Sequence, residues 1–209
     1  MECVLKNNCF DKSLTRDLSM LLQCVAYNHK YNTITVKDPA ILESSFVKGM
    51  DKRDRDVLVD FFNAQVIGST VYEGETIEVD AQGTKEDVLK IFAPDEAVRY
   101  IGEPLTILVE NDLFDGRFVG SIINNFANDR VRNAYEGGFI RNGLSGGCGN
   151  VKNTLASQMK TFKCRSKFLR ILVIWDSDKE YPNKPVTKYD NDIRELNSKH
   201  IKYHLKFRK

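Results

Sequence analysis

The sequence of 209 residues contains no run of about 18 consecutive apolar residues, so it offers no segment for a membrane-spanning helix. The first twenty residues lack the apolar block of a secretory signal, because Lys6, Asp11, Lys12, Arg16 and Asp17 interrupt them. There are only three histidines, and none of the five cysteines forms a C-x-x-C pair, which argues against a zinc site and a disulfide framework. These absences predict a cytoplasmic protein without membrane contact, whose thiols are reduced and mostly buried.

The chain also lacks a strong excess of charge of either sign. Its formal net charge of +2 is too small for nucleic-acid binding through bulk electrostatics, so any phosphate-binding surface must be a local patch. The fractions of hydrophobic residues (42%) and charged residues (29%) are ordinary for a globular protein, and the length allows one large domain or two small ones.

The first half of the chain, residues 1–102, shows no alternation of strands and helices and is predicted to be mostly helical. Its interspersed charges form no catalytic constellation and indicate solvated helical faces, so we expect a region that docks a partner or contacts substrate. The apolar spacing predicts helices at 12–28, from Asp38 with Pro39 in the first turn, at 52–65 and at 84–100, a strand or turn at 33–36, and a strand or linker within 71–79.

In the second half, residues 103–209, the apolar residues follow a different pattern. Near-continuous apolar runs at 105–109 and 168–175 are typical of strands buried on both faces of a parallel sheet. The fold class is therefore α/β, with an open, mainly parallel sheet and flanking helices. The remaining predicted elements are helices at 115–127, 150–162 and 188–198, a third strand within 134–142, and an amphipathic strand at 200–207.

Carboxylates follow both long predicted strands. Glu110 comes directly after Val109, and Asp176 and Asp178 come after Trp175. Ligands of open parallel sheets lie beyond the carboxyl ends of the strands, so the three acids converge if the two strands are neighbours. Converging carboxylates repel one another unless a cation bridges them, and Mg²⁺ suits a shallow site of oxygen ligands.

These segments resemble the TOPRIM domain, which topoisomerases, bacterial primases, RecR-type repair proteins and OLD-family nucleases share. The resemblance covers residues 103–209 and lies in the strand ending Leu108-Val109-Glu110, a glycine-rich turn, and Ile174-Trp175-Asp176-Ser177-Asp178. It implies that Glu110, Asp176 and Asp178 bind Mg²⁺, with Mn²⁺ as a substitute, and that Glu110 takes part in acid–base chemistry.

Two further segments resemble the small OLD-like nucleases within that family. The segment from Ser145 to Asn150 resembles their central glycine turn, and His200–Lys209 resembles their closing strand, which carries a basic residue such as Lys206 toward the active site. The resemblance implies a nuclease of bacterial anti-phage defence that acts beside an ATPase partner.

The chain departs from the family pattern in two places. The family has Gly directly after the Glu and Asp four residues beyond it, whereas this chain has Asn111 and Phe114 there. Asp115 either takes the metal-binding role after a one-residue insertion or caps the following helix. The chain also stops at Lys209, close to the last predicted strand, so either its tail is short or the sequence is a fragment that is truncated at its C-terminus.

Other residues with chemical potential have simpler interpretations. The glycines between Gly143 and Asn150 fit a tight turn, and the alternative is that their backbone amides contact a phosphate. Cys148 has no histidine nearby in sequence to activate it. Lys206 and Arg208 either are solvated side chains on an edge strand or stabilise charge on a scissile phosphate.

Three functions remain in competition. The first is a Mg²⁺-dependent nuclease acting on DNA or RNA, with Glu110, Asp176, Asp178 and Lys206 as catalytic residues and Asp115 as a further ligand. The second is a non-catalytic or partner-activated TOPRIM-like binding module. The third takes the Asp-x-Asp motif as that of a glycosyltransferase or a phosphatase nucleophile, although phosphatases normally carry it after the first strand.

Overall fold

The computed structural model divides the chain into two compact units, residues 1–102 and 103–209. The change in the spacing of apolar residues after residue 102 predicts the same division. The structure describes residues 1–27, 32–68, 75–86, 89–144, 146–147, 150–161 and 166–174, together with Arg194.

The first unit contains a parallel sheet, so the prediction that residues 1–102 lack βα alternation is wrong, although helices still make up most of this unit, as predicted. Its strands are β1 (Glu2–Leu5), β2 (Thr33–Val36), β3 (Thr76–Val79) and β4 (Ile91–Phe92), in the order β2-β1-β3-β4, and all neighbours are parallel. Strands of two to four residues are too short to show a clear period of two, which is why the sequence pattern missed β1 and β4.

Helices pack on the apolar residues of this unit. They are α1 (Thr15–Tyr27), α2 (Ser45–Lys48), α3 (Lys52–Val66) and α4 (Pro94–Gly102). The helix α1 contacts both α3 and α4 and buries Leu18, Leu21, Leu22 and Val25, the residues whose helical spacing predicted it. The predicted helix from Asp38 is a 3₁₀ turn, Pro39–Glu43, followed by the short α2.

The predicted helix at 84–100 is wrong in its first half. Ile91 and Phe92 pair with Glu78 and Val79 as strand β4, and the helix begins only at Pro94. Proline disfavours helical geometry in the residue before it and is well accommodated in the first turn of a helix. The proline therefore fixes the start of α4 regardless of the apolar residues that precede it.

The second unit is built on a three-stranded parallel sheet. Its strands are β5 (Leu105–Val109), β6 (Ile140–Leu144) and β7 (Ile171–Val173), in the order β6-β5-β7. The central strand β5 has the predicted bounds and buries residues 106–109, as expected of an apolar strand that is covered on both faces. The strand predicted at 168–175 is shorter, since a 3₁₀ turn, Ser166–Phe168, precedes it.

The helices of the second unit lie on opposite faces of this sheet. A π-helical turn, Asp112–Gly116, leads into α5 (Arg117–Phe126), and α6 (Asp129–Glu136) follows it. On one face Ile107 and Val109 form a buried core with Val119 and Ile123 of α5. The helix α7 (Val151–Thr161) borders the other face, where its C-terminal residues line a cavity together with Thr106. The predicted helix at 188–198 and strand at 200–207 lie outside the described residues, apart from Arg194.

Candidate functional site

Glu110 lies at the carboxyl end of the central strand β5 and is half-buried. The strand β7 is a direct parallel neighbour of β5, with Leu108 opposite Val173, and the amide of Ile174 donates to the carbonyl of Leu108 at 2.9 Å. The expectation that the two acid-bearing strands are neighbours is thereby confirmed. The carboxyl end of β7 therefore lies at the same edge of the sheet as Glu110.

The strand order of the second unit reverses at β5. From β5 the chain crosses to β6 on one side, and from β6 it crosses back over β5 to β7 on the other. The connecting helices α5 and α6 cover one face and α7 borders the other, as alternate residues of β5 show. Glu110 therefore lies at a topological switch point, the place where open α/β sheets bind their ligands.

Of the five predicted site residues, Glu110 and Asp115 belong to the described part of the chain. Asp176, Asp178 and Lys206 lie outside it, and Asp176 follows Val173 by three positions in the sequence. Within the described part, no group of three or more His, Cys, Asp or Glu side chains is arranged to hold a metal ion. The metal centre therefore remains a prediction, with Glu110 as the component whose position is defined.

Asp115 has the geometry of a helix cap. Its Oδ2 accepts a hydrogen bond from the backbone amide of Asn111 at 2.9 Å. In return the side-chain oxygen of Asn111 accepts from the amides of Leu113 at 2.9 Å and Phe114 at 3.4 Å. This reciprocal arrangement satisfies amides that the start of a helix leaves without intrahelical partners. Asn111 supplies the N-cap side chain of this turn, which a glycine would lack.

The glycine-rich segment has the backbone of a turn where the structure describes it. Gly146 and Gly147 have φ angles of +71° and +107°, a region that residues with a side chain rarely adopt. The side-chain amide of Asn150 donates to the carbonyl of Gly146 at 3.1 Å and ties the turn to the start of α7. These contacts agree with the structural interpretation of the glycines. Cys148 lies outside the described residues.

An exposed apolar stripe runs along the outer side of α5. Phe114, Phe118, Ile122 and Phe126 recur every four residues and are 69%, 66%, 43% and 84% exposed, and we call them the α5 apolar face. Phe114 lies in the π-helical turn and the other three lie in α5, where Ile122 and Phe126 border the side of the helix that buries Val119. Taking about 200 Å² for a phenylalanine side chain, the stripe exposes roughly 500 Å². That is near the upper end of the largest apolar patch on ordinary monomers, and such patches often mark binding surfaces.

The first unit contains a polar cluster that sequence reasoning missed. At the carboxyl ends of β1 and β3, the ammonium of Lys6 lies 3.0 Å from Glu78 and 3.7 Å from Asp80, and Asn8 donates to Asp80 at 3.1 Å. The hydrogen bond to Glu78 raises the pKa of Lys6. The backbone amide of Gln82, with smaller contributions from Asn8 and Lys6, lowers the pKa of Asp80. The opposite charges already pair with one another, so the cluster acts as a connection between strands.

A lysine–glutamate pair joins other parts of the same unit. The ammonium of Lys90 contacts the carboxylate of Glu75, and the hydroxyl of Tyr100 in α4 bonds both groups at 2.8 Å. The two charged side chains are 13% and 19% exposed. This network links the residues flanking β3 and β4 to α4 and has a structural role.

The described cysteines are free thiols. Cys3 and Cys9 are buried and Cys24 is half-buried, as predicted, while Cys148 and Cys164 lie outside the described residues. Burial raises the pKa of Cys9 to about 11, and its thiol donates to the carbonyl of Val79 at 3.1 Å. A thiol in that state is a poor nucleophile.

None of the helices in the described part of the chain combines the length and apolar character that crossing a bilayer requires. Neither family models, nor curated proteins, nor solved structures give a significant match to the chain.

Proposed function

We propose that the protein is a Mg²⁺-dependent nuclease that hydrolyses phosphodiester bonds in DNA or RNA. The observation that supports the proposal is the parallel pairing of β5 with β7, because it puts Glu110 and the carboxyl end of β7 at one edge of one sheet. Asp176 and Asp178 follow within five residues of Val173. Carboxylates that approach one another at such an edge favour a hard divalent cation with oxygen ligands.

Each predicted residue has a distinct role in this proposal. Glu110, Asp176 and Asp178 hold the cation, which when bound supplies positive charge that offsets the charge developing on the phosphodiester. Glu110 also accepts a proton from the attacking water. Lys206 donates a hydrogen bond to a phosphate oxygen and so stabilises the transition state. Asp115 serves the helix cap, in keeping with its bond to Asn111.

The proposal is tested by cleavage of supercoiled plasmid and of RNA by the full chain with Mg²⁺, with Mn²⁺ and with EDTA. Glu110→Gln and Asp176→Asn should each reduce metal-dependent cleavage by about 100-fold or more, since even residues that only support metal ligands cost 10–100-fold. The matched control is Glu136→Gln, which removes the same charge from an exposed position at the end of α6. Cleavage that survives both site substitutions would overturn the assignment.

The biological setting is proposed from the resemblance to OLD-like nucleases, which implies anti-phage defence beside an ATPase partner. The gene adjacent to this one gives a direct test. An adjacent ATPase gene supports the defence role, and loss of phage protection by Glu110→Gln in cells carrying both genes would link that role to the proposed site. Phage protection that is unchanged by this substitution would show that the defence role does not depend on the proposed site.

The second candidate function is a partner-activated binding module, and the α5 apolar face favours it. This stripe of three phenylalanines and one isoleucine begins four residues after Glu110, so a protein bound there would contact the edge that carries the acid. In that case the folded, isolated chain is inactive with both metals and co-purifies with one large partner. Phe118→Asp, an exposed position, should release the partner without unfolding the chain, whereas Phe118→Leu should retain it.

A further inference from the structure

The α5 apolar face is not used by the core of the second unit. The core takes Val119 and Ile123 from this helix, whereas the four residues of the face are between 43% and 84% exposed. Leu113, which directly precedes the face, is 54% exposed. Taking about 200 Å² for a phenylalanine side chain and slightly less for leucine or isoleucine, these five side chains expose roughly 600 Å². An apolar surface of this size indicates that another molecule covers it.

No charged residue interrupts this surface along α5. From Phe118 to Asn128 the sequence contains no Asp, Glu, Lys or Arg, although 29% of the chain is charged. The buried centre of a protein–protein interface is depleted of charged residues and enriched in aromatic ones. A polyanion or a strongly charged protein would require charges of the opposite sign at the contact. The face therefore fits a counterpart that is itself apolar and uncharged.

The shape of the face is complementary to a second copy of itself. Residues four apart form a ridge along a helix, and the exposed row beside this ridge consists of Arg117, Ser121 and Asn125. The side-chain amide of Asn125 donates to the carbonyl of Ser121 at 2.8 Å, which holds this side chain against the helix. The short serine and the folded-back asparagine leave a groove beside the ridge. Each copy thus presents both a ridge and a groove that can receive one.

Two such helices can pack with each ridge in the groove of the other. Ridges of residues four apart are inclined by about 26° to the helix axis, so a crossing of about 50° makes two of them parallel along their length. A two-fold axis midway between Phe118 and Ile122 then places Phe118 against Ile122 of the second copy. The same axis places Phe114 against Phe126. Interfaces in which both copies use the same patch are the commonest kind in soluble oligomers.

The area of the face is sufficient for a stable pair. When two copies cover the roughly 600 Å² of each other, the apolar part of the interface alone amounts to about 1,200 Å². That value is the lower end of the range for specific interfaces, whereas contacts formed by crystal packing mostly bury less than about 800 Å². The exposed row of Arg117, Ser121 and Asn125 adds polar area at the rim.

We infer that two copies of this chain associate through the α5 apolar face, ridge into groove, about a two-fold axis between Phe118 and Ile122. The inference goes beyond the proposed function and does not rest on it. A second copy and the partner protein of the second candidate function would occupy the same surface, so the test decides between the two.

The test is sedimentation velocity of the full chain over a range of about 1–200 µM. The wild type should sediment with twice the mass of one chain at high concentration and dissociate on dilution. Phe118→Asp should raise the dissociation constant by roughly 100-fold or more, because central aromatic residues carry most of the binding energy and a two-fold interface loses each of them twice. Phe118→Leu should retain the dimer. NaCl at about 1 M should leave the dimer intact, since salt screens charges and the face has none.

The matched control is Asn124→Asp, which adds the same charge at an exposed position of α5 outside the face. It should sediment as the wild type does, and equal dissociation of the control and Phe118→Asp would reduce the effect to net charge and overturn the inference. A folded wild type that is monomeric at every concentration would also overturn it and leave the face to a different protein. If Phe118→Asp unfolds, Phe126→Ser at the most exposed position of the face tests the same point.

A pair of opposite charges tests the two-fold arrangement itself. Phe118→Lys and Ile122→Asp should each dissociate alone, because each puts an unpaired charge into an apolar interface. An equal mixture of the two should associate again, since the new ammonium of one chain faces the new carboxylate of the other. A mixture that stays monomeric would overturn the proposed pairing. Glu110→Gln should dimerise as the wild type does, so failure of the nuclease proposal leaves this result intact.

Discussion

Substitution of the reciprocal cap at the start of the π-helical turn decides which role Asp115 has. Replacing a capping Asn or Asp by Ala typically costs about 1 kcal/mol, within a range of about 0.5–2 kcal/mol. Asn111→Ala removes the acceptor of two amides, and Asp115→Ala removes the acceptor of one. We expect each substitution to lower the free energy of unfolding by about 1 kcal/mol, while Asn111→Gly should cost less.

The assay is thermal unfolding of the full chain in EDTA and in excess Mg²⁺. For a domain of about 100 residues, 1 kcal/mol corresponds to roughly 4–8 °C in Tm. Asp115→Ala should lower Tm by that amount in EDTA and retain the whole increase that Mg²⁺ produces in the wild type, because a ligand that binds only the folded state stabilises it by mass action. Glu110→Gln should have the converse pattern, with little change in EDTA and a smaller response to Mg²⁺.

The opposite result for Asp115 would refute the reasoning. An Asp115→Ala chain with the wild-type Tm in EDTA and no response to Mg²⁺ would make Asp115 a metal ligand, in the role that a one-residue insertion implies. The double substitution at Asn111 and Asp115 gives a second check, since residues that share hydrogen bonds are coupled and their single costs should not add. Glu136→Gln, at an exposed position of the same unit, should change neither Tm nor the Mg²⁺ response.

Three shorter predictions concern the first unit. Lys90→Met should lower the free energy of unfolding in urea by about 3–5 kcal/mol, because it leaves the carboxylate of Glu75 largely buried without its ammonium partner, and Lys90→Met/Glu75→Gln should recover part of the loss. The pKa of Asp80 is lowered in the folded state, chiefly by the amide of Gln82. Its contribution to the free energy of unfolding is therefore present above the unfolded pKa of about 3.9 and is lost as the pH falls further. Asp80→Asn should make the free energy of unfolding depend less on pH below about 4. Burial raises the pKa of Cys9 to about 11, so iodoacetamide at pH 8 should leave the Cys9 peptide unlabelled in native protein and label it in denaturant.

The second unit was predicted closely where apolar character is continuous. The strand β5 lies between two other strands and under helices on both faces, so all of its residues must be apolar or small, and the run at 105–109 is unambiguous. The helix α6, by contrast, was missed. It is mostly polar, buries Ala134 and packs Val131 and Tyr135 against the core, and three such positions in eight residues are too few to indicate a helix.

The first unit was predicted less well because its strands are short and partly polar. In the sheet, Glu2 of β1 accepts hydrogen bonds from Thr35 of β2 at 2.7 Å and Thr76 of β3 at 2.9 Å. One face of β2 and of β3 carries hydrophilic side chains. A strand of four residues with one polar face shows only two apolar positions, and two positions do not define a period. Pairing in the sheet, rather than local pattern, determines these strands.

The candidate site was predicted in part. That Glu110 ends a buried strand follows from the local sequence, whereas its neighbour depends on strand order, which pairs Leu108 with Val173 across 65 positions of sequence.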